Sequence, residues 1–459
     1  MSAAARRLRV ALVAPPLERV PPKAYGGTER IVHELATQLV RRGHEVTVFA
    51  SGDSDVPGRH ITTVPRALRP ANSPDDVGNW FGATVDAVLR RRAEFDLIHS
   101  HLEWWSIPLA RAAGMPVAAT FHGRLDLPYS RQMLVSPPDG LVAVSRNQAS
   151  THPSVPWTVV HNGLTLDGMP FQEARTEGFC FVGRVDPEKG IIEAIEVAKR
   201  TGRPLRIAAK VGMLPYQRDY HENVFLPALR SAGSGVEYLG ELAPPERDRL
   251  FAESYATLMP GSWPEPFGLV AIESLSCGTP IVARRIGALP EIIREGVDGV
   301  FGDDVMQMAF MSADLDGVDR RAIRERVIER FSAARMTDRY EELYARLVAR
   351  PRMTADRLRA SVADSGAATS TDRAGSAAAS DGRSSGDGRS ATGGFAPTEG
   401  PSAPTRATDH DTVRAGTVRI VARQPIGRNA WRGSQRGPDA RPTSGRAAVD
   451  DRSDDDDRS

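Results

Sequence analysis

The sequence predicts an α/β protein made of two doubly wound domains with a disordered tail after them. Three observations carry this. Short β-branched runs alternate with amphipathic helical stretches through the first 350 residues. The alternation starts afresh after Gly168. Near Arg350 the composition breaks.

Residues 8–14, LRVALVA, read as the first strand. A helix over 28–42 follows, with Ile31, Leu35 and Leu39 on one face. Residues 45–50, 95–100, 117–122, 140–145 and 157–162 read as further strands. Their apolar residues are continuous rather than alternating, which marks a parallel sheet covered on both faces. In the second half, residues 179–184, 205–210, 236–240, 256–260 and 280–285 are strand-like. Helical stretches at 190–200, 244–254, 267–277 and 289–294 separate them. The expected domains are 1–166 and 167–350, and the ligand of such a pair belongs in the cleft between them. Of the 108 residues from 352 to 459, only 11 are Val, Ile, Leu, Met, Phe, Trp or Tyr. Such a segment buries too little apolar surface to offset the entropy of ordering, so 351–459 is read as a disordered low-complexity tail.

Composition narrows the function. Lys and Arg number 59 against 58 Asp and Glu, so no global field draws the chain to nucleic acid or to a membrane. Basic residues are dispersed and no aromatic platform is evident, which disfavours a nucleic-acid binder. Two cysteines, Cys180 and Cys277, cannot build a disulfide framework or a Cys-rich zinc site. They suit a reducing compartment. No run of about 18 apolar residues exists, and the first apolar stretch is too short for a signal peptide. A cytoplasmic protein is expected, with peripheral membrane contact left open.

The common phosphate-binding motifs are missing. There is no G-x-x-x-x-G-K-[ST] loop, and the first strand is not followed by G-x-G-x-x-G. Instead a long loop leads to Gly26-Gly27 and a helix for which Thr28 is a suitable N-cap. Paired glycines and a helix N-terminus can approach an anion. A loop that only needs positive φ would give the same residues. FVGRVDPEKG places Arg184 and Lys189 where a strand ends and a helix begins. Two cations there would neutralise a diphosphate, although an ordinary surface pair looks the same in sequence.

The strongest local signal is SWPEPFGLVAIESLSCGTP. Pro266 suits a first helical turn, and Phe267, Gly268 and Leu269 would then offer free amides to phosphate oxygens. Glu265 and Glu273 lie eight positions apart, roughly 800° of helix, hence on one face. One would receive sugar hydroxyls and the other ribose hydroxyls. The competing reading makes Glu265 a dipole partner and Glu273 a solvated residue.

With these pieces in order, the chain resembles a family 4 glycosyltransferase, the large retaining group with the GT-B fold of two Rossmann-like domains facing a central cleft. The matching segments are GGTE, TFHG, VVHNG, FVGRVDPEKG, the Glu265–Glu273 stretch and GALPEIIREGVDGVF. The resemblance implies an acceptor-side first domain and a second domain that binds a nucleoside diphosphate sugar, with the helix over 333–348 crossing back to the first. It places Gly26 and Gly27 near the donor phosphates and acceptor, and His122 close to the transferred sugar, bonding its 6-hydroxyl or helping to position the acceptor. Arg184 and Lys189 would hold the diphosphate, with Lys210 a less certain addition. Glu265 would bond the sugar's 3- and 4-hydroxyls, the 267–269 amides the phosphate, and Glu273 the ribose. No metal and no cofactor is implied, because the cations take the metal's place; the nucleotide sugar is a co-substrate. For His122 a bond to a backbone carbonyl is the bland alternative. His99 and His101 would shape the acceptor side, and Trp80, Trp104 and Trp105 are candidates for stacking on sugar. The acceptor, a carbohydrate, lipid or small molecule, would be read by loops 15–25, 53–79 and 124–138. A GT-B sugar-nucleotide epimerase and a catalytically silent nucleotide-sugar-binding protein are the competing functions.

Overall fold

The computed structural model of the chain describes residues 6–23, 26–70, 76–174, 176–212 and 214–350. The expectation for the tail, 351–459, lies outside the described residues. Strands β1 (Arg9–Val13), β2 (Glu45–Ser51), β3 (Arg59–Val64), β4 (Leu97–Ser100), β5 (Val117–Phe121), β6 (Leu141–Ala143) and β7 (Thr158–Val159) form one sheet, ordered β3-β2-β1-β4-β5-β6-β7. Strands β8 (Phe179–Val185), β9 (Leu205–Val211), β10 (Val236–Gly240), β11 (Thr257–Met259), β12 (Ile281–Ala283) and β13 (Gly299–Phe301) form a second, ordered β10-β9-β8-β11-β12-β13. Both sheets are parallel. β4 and β5 are buried at every position, as strands covered on both faces require.

The order of each sheet reverses beside its first strand. β1 lies between β2 and β4, and β8 between β9 and β11. The carboxyl ends of these strands are therefore the switch points where ligands bind in such sheets. Two strands went unread. β3 is an edge strand with mostly part-exposed or exposed residues, so it carries no apolar run. β13 is only three residues long, too short for a period.

Two helix starts differ from expectation. The helix Gly27–Arg41 begins one residue before Thr28, with Gly26 at the N-cap and φ 153°. A Cβ on Gly26 would lie 2.7 Å from Pro22 Cβ, so the close approach of Pro22 demands glycine there. Thr28 therefore sits inside the first turn. Likewise the helix Leu269–Ser276 starts after Gly268, whose φ of 100° breaks the helical path. Pro266 precedes that break instead of occupying the first turn.

The helix Ala333–Ala349 buries Met336, Tyr340, Leu343, Tyr344 and Leu347. Although it follows the second sheet in sequence, it packs on the Gly27–Arg41 helix and β5 of the first. The chain is fastened at the crossing by Leu164, whose N–H donates to the Phe331 carbonyl (3.1 Å) and whose carbonyl accepts from the Ala333 N–H (2.8 Å). One apolar cluster runs from Val10, Leu12 and Ile31 through Tyr340 to Phe267, Ala271 and Ile272. Burial of that shared core holds the two sheets together.

Candidate active site

A cavity of about 690 Å³ opens at the carboxyl ends of β1, β4, β8 and β11. Gly26, Gly27, His122, Arg184, Lys189, Lys210, Glu265, Phe267, Gly268, Leu269 and Glu273 all line it. The residues singled out from sequence thus share one hollow.

β8 carries Arg184 near its end, and a tight turn at Pro187–Lys189 follows. Asp186 caps that turn through the Glu188 N–H (3.3 Å) and is itself buried beneath Gln217 Nε2 (2.7 Å). Gly190, at φ 74°, passes so close to Gly261 that a Cβ would meet its nitrogen at 2.7 Å. This packing brings Lys189 to the loop after β11. Its Nζ lies 2.5 Å from Glu265 Oε1 and 5.7 Å from the Trp263 ring centroid. Arg184 Nη2 donates to Glu188 Oε1 at 2.9 Å. Lys210, at the end of β9, lies 3.6 Å from Glu241. Gly268 ends the loop and opens the Leu269–Ser276 helix, whose first N–H groups have no carbonyl a turn earlier to bond.

Glu273 is buried and pairs with two arginines. Arg30 Nη1, from the first domain, donates to it at 2.6 Å, and Arg247 Nη2 lies at 2.8 Å. The carboxylate is therefore charge-compensated across the two domains, not a solvated helix residue. Glu29, one position before Arg30, is also buried on the cavity wall, and burial pushes its carboxyl up to about 7 against the backbone N–H bonds that lower it.

His122 follows directly after β5 and is held from two sides. Its main-chain N–H donates to Glu103 Oε1 (2.9 Å), and the Gly123 N–H donates to Oε2 (3.2 Å). Glu103 adopts φ 50°, a strained backbone for a glutamate. Burial raises its carboxyl to about 7, ahead of the two bonds that oppose it. The His122 ring bonds to His101 at 2.9 Å, not to a backbone carbonyl, and burial lowers it to about 3. His99 and His101 lie in the core behind His122 with no exposed surface, so they do not shape the acceptor side. Burial is the reason: His99 lies within β4, a strand covered on both faces, and His101 follows directly after it.

On the first-domain wall Leu17, Arg69, Phe81, Trp104, Arg124 and Tyr129 face the cavity. Trp104 meets Tyr129 edge-on with centroids 5.5 Å apart, whereas Trp105 turns away to stack on Phe81 at 6.1 Å. Arg124 stands 4.9 Å over the Trp263 ring and so joins the two domains across the opening.

Among the cavity residues that carried no role in the sequence reading are Arg30, Glu103, Asn162 and Arg247. Asn162 is buried on the cavity wall, and its Oδ1 has no hydrogen-bond partner. A ligand hydroxyl would satisfy it. Arg30, Glu103 and Asn162 sit inside or beside segments that stood out, GGTER, HSHLE and VVHNG. Arg247 lies on an ordinary amphipathic helix with no distinguishing signal.

Comparison with known proteins accords with this geometry. The pattern of Glycosyltransferase Family 4 matches residues 25–167, and that of glycosyl transferases group 1 matches 172–320. D-inositol 3-phosphate glycosyltransferase of Mycobacterium marinum is 31% identical over 372 residues, 68% of this chain and 78% of that protein. Glycogen synthase of Mycobacterium tuberculosis is 29% identical over 337 residues, 61% of this chain and 79% of that protein. AviGT4, a glycosyltransferase involved in avilamycin A biosynthesis, superposes with a TM-score of 0.58 at 26% identity, over 75% of this chain and 99% of that one. Sucrose-phosphate synthase of Thermosynechococcus elongatus shares the fold, with a TM-score of 0.60 at 20% identity over 75% of this chain and 100% of that one. The architecture is GT-B, and the family match and the relatives support a glycosyltransferase. The chain belongs to the group 1 glycosyltransferases of the family 4 type. Among the described residues no helix is long and apolar enough to cross a membrane.

Proposed function

We propose that the chain transfers a sugar from a nucleoside diphosphate sugar to an acceptor, with retention of anomeric configuration and without a metal. The observation that carries this is the convergence of Arg184, Lys189 and the Gly268-capped helix start on one cavity with Glu265 and Glu273. Membership of a family to which retaining transferases belong supports retention. In the proposed reaction the bond from the anomeric carbon to the diphosphate breaks first, through a transition state of oxocarbenium character. Arg184, Lys189 and the amides at 267–269 stabilise the charge on the departing phosphate. That phosphate takes the acceptor's proton on the face it leaves, so no second carboxylate is needed as nucleophile. Glu265 receives sugar hydroxyls as Lys189 turns to phosphate, Asn162 Oδ1 accepts from a further hydroxyl, and Glu273 holds the ribose. Gly26 and Gly27 leave room for the phosphates, His122 contacts the transferred sugar, and Lys210 adds positive charge. Trp104 and Tyr129 offer apolar faces to the acceptor.

The test is a screen of UDP- and GDP-sugars for nucleoside diphosphate release, with cell extract as the acceptor source. The product's anomeric configuration is read by NMR, and the assay is repeated with chelator. Release that needs acceptor, persists with chelator and retains configuration supports the proposal. Isomerised sugar nucleotide formed without acceptor would mark an epimerase instead. Binding with no turnover of any donor would mark a silent binding protein.

A further inference from the structure

The polar groups behind His122 do not stop at its ring. His101 Nδ1 lies 2.9 Å from His122 Nε2, with the two ring planes 20° apart and 5.2 Å between centroids. His101 has no exposed surface, and its other nitrogen, Nε2, is buried without a hydrogen-bond partner. The next ring inward, His99, packs on His101 with centroids 4.2 Å apart. Both nitrogens of His99 are occupied, Nδ1 by the Tyr344 hydroxyl (2.6 Å) and Nε2 by Thr120 Oγ1 (2.8 Å). Thr120 Oγ1 in turn meets the Tyr340 hydroxyl at 3.0 Å.

Burial lowers all three histidines, so each ring is neutral and carries a single hydrogen. One hydrogen bridges His101 Nδ1 and His122 Nε2, and there are two ways to place it. If His122 donates, the hydrogen of His101 must sit on Nε2, where it is a buried N–H with no acceptor. If His101 donates, its one hydrogen is used, and only a lone pair is left over. Buried N–H groups without an acceptor are the rarer defect. In the second arrangement His122 must carry its own hydrogen on Nδ1. Nε2 is turned in to His101, so Nδ1 is the nitrogen left to the cavity that His122 lines.

We propose that His101 is a positioning residue: it donates its Nδ1–H to His122 Nε2 and fixes His122 as the tautomer that presents an Nδ1–H donor to the transferred sugar. Glu103 fixes the main chain of the same residue through the N–H groups of His122 and Gly123. Main chain and ring are thus held by separate partners. The group that meets His122 is therefore an oxygen lone pair and not a hydroxyl hydrogen. This role rests on the proposed glycosyl transfer, whereas the tautomer itself does not.

The experiment uses the full chain labelled with ¹⁵N-histidine and long-range ¹H–¹⁵N correlation, His122 being assigned from the His122→Asn spectrum. Wild type should show His122 with Nε2 bare and Nδ1 protonated. A hydrogen on His122 Nε2 in wild type overturns the proposal, whether or not any donor is turned over. If wild type turns over no donor, the reading of glycosyl transfer fails, and the spectrum still decides the tautomer. With an active donor, His101→Leu should mix the two tautomers and lower kcat roughly 10–100-fold, as loss of a histidine-orienting partner does elsewhere. Donor KM should change little. His101→Asn places an amide NH₂ near the lost Nδ1–H and should recover most of kcat. An unchanged kcat in a folded His101→Leu protein overturns the positioning role. If that variant does not fold, the wild-type spectrum and His101→Asn kinetics decide.

Discussion

Lys189→Met separates charge from shape at the diphosphate clamp. Methionine keeps an unbranched stem and removes the ammonium group, which lies 2.5 Å from Glu265 Oε1. The two side chains are 19% and 25% exposed. A half-open pair of this kind contributes about 0–1 kcal/mol to folding. The thermal midpoint should therefore fall by no more than about 4 °C. The kinetic effect follows a different scale. A charge-assisted hydrogen bond to a departing diphosphate is worth about 1.5–3 kcal/mol. At 1.36 kcal/mol per factor of ten, the expected loss in kcat/KM is roughly 10- to 150-fold. Most of it should fall on kcat, because the phosphate charge grows as the bond breaks. Initial rates of nucleoside diphosphate release give both constants, and Lys189→Arg serves as the charge-keeping control. A folded Lys189→Met enzyme with kcat/KM within twofold of wild type would refute the argument.

Arg30→Ala removes the first-domain partner of Glu273 but leaves Arg247 at 2.8 Å, so the carboxylate is not stranded. Urea unfolding should show a loss of about 1–2 kcal/mol; no loss would mean that the interdomain pair adds nothing. Tyr344→Phe deletes a hydroxyl 2.6 Å from His99 Nδ1 in the core. It should cost about 1–3 kcal/mol, seen as a lower thermal midpoint. Gly268→Ala forces a side chain onto φ 100° and should cost about 1–3 kcal/mol while weakening nucleoside diphosphate binding by calorimetry. Burial raises Glu29 to about 7 in the folded chain, above its unfolded value, so its contribution is full at low pH and is lost as pH rises from about 4.5 through 7. Glu29→Gln should flatten that part of the stability–pH curve by about 2–4 kcal/mol, as read from urea midpoints.

Much of the fold was legible because its information is local. β1, β4 and β5 are continuous apolar runs, and only a covered parallel sheet explains them. β3 was not legible, because an edge strand answers to solvent on one side and keeps its charges. The two misplaced helix starts have a single cause. Proline and threonine are general signals for a first turn, but a glycine held at positive φ by close packing overrides them, and packing at Pro22 is not written near Gly26 in any periodic form.

The site divides along the same line. Arg184, Lys189, Glu265 and Gly268 lie in two short segments at strand ends, so their chemistry could be read directly. Their balance could not. The charge of Glu273 is answered by Arg30, 243 positions away, and the ring of His122 by His101, 21 positions away. The first pair forms only when the two sheets close on one core and the second only when β4 and β5 lie side by side, and no spacing rule connects either pair. His101 looked like a cleft residue because it follows a strand that ends at the cleft. It is instead in the interior, because the Ala333–Ala349 helix returns to cover that end of the sheet and brings Tyr340 and Tyr344 against His99. The last helix therefore does more than close the fold. By sealing the histidines from water it leaves them neutral, and a neutral His101 can hold the ring of His122 in one tautomer.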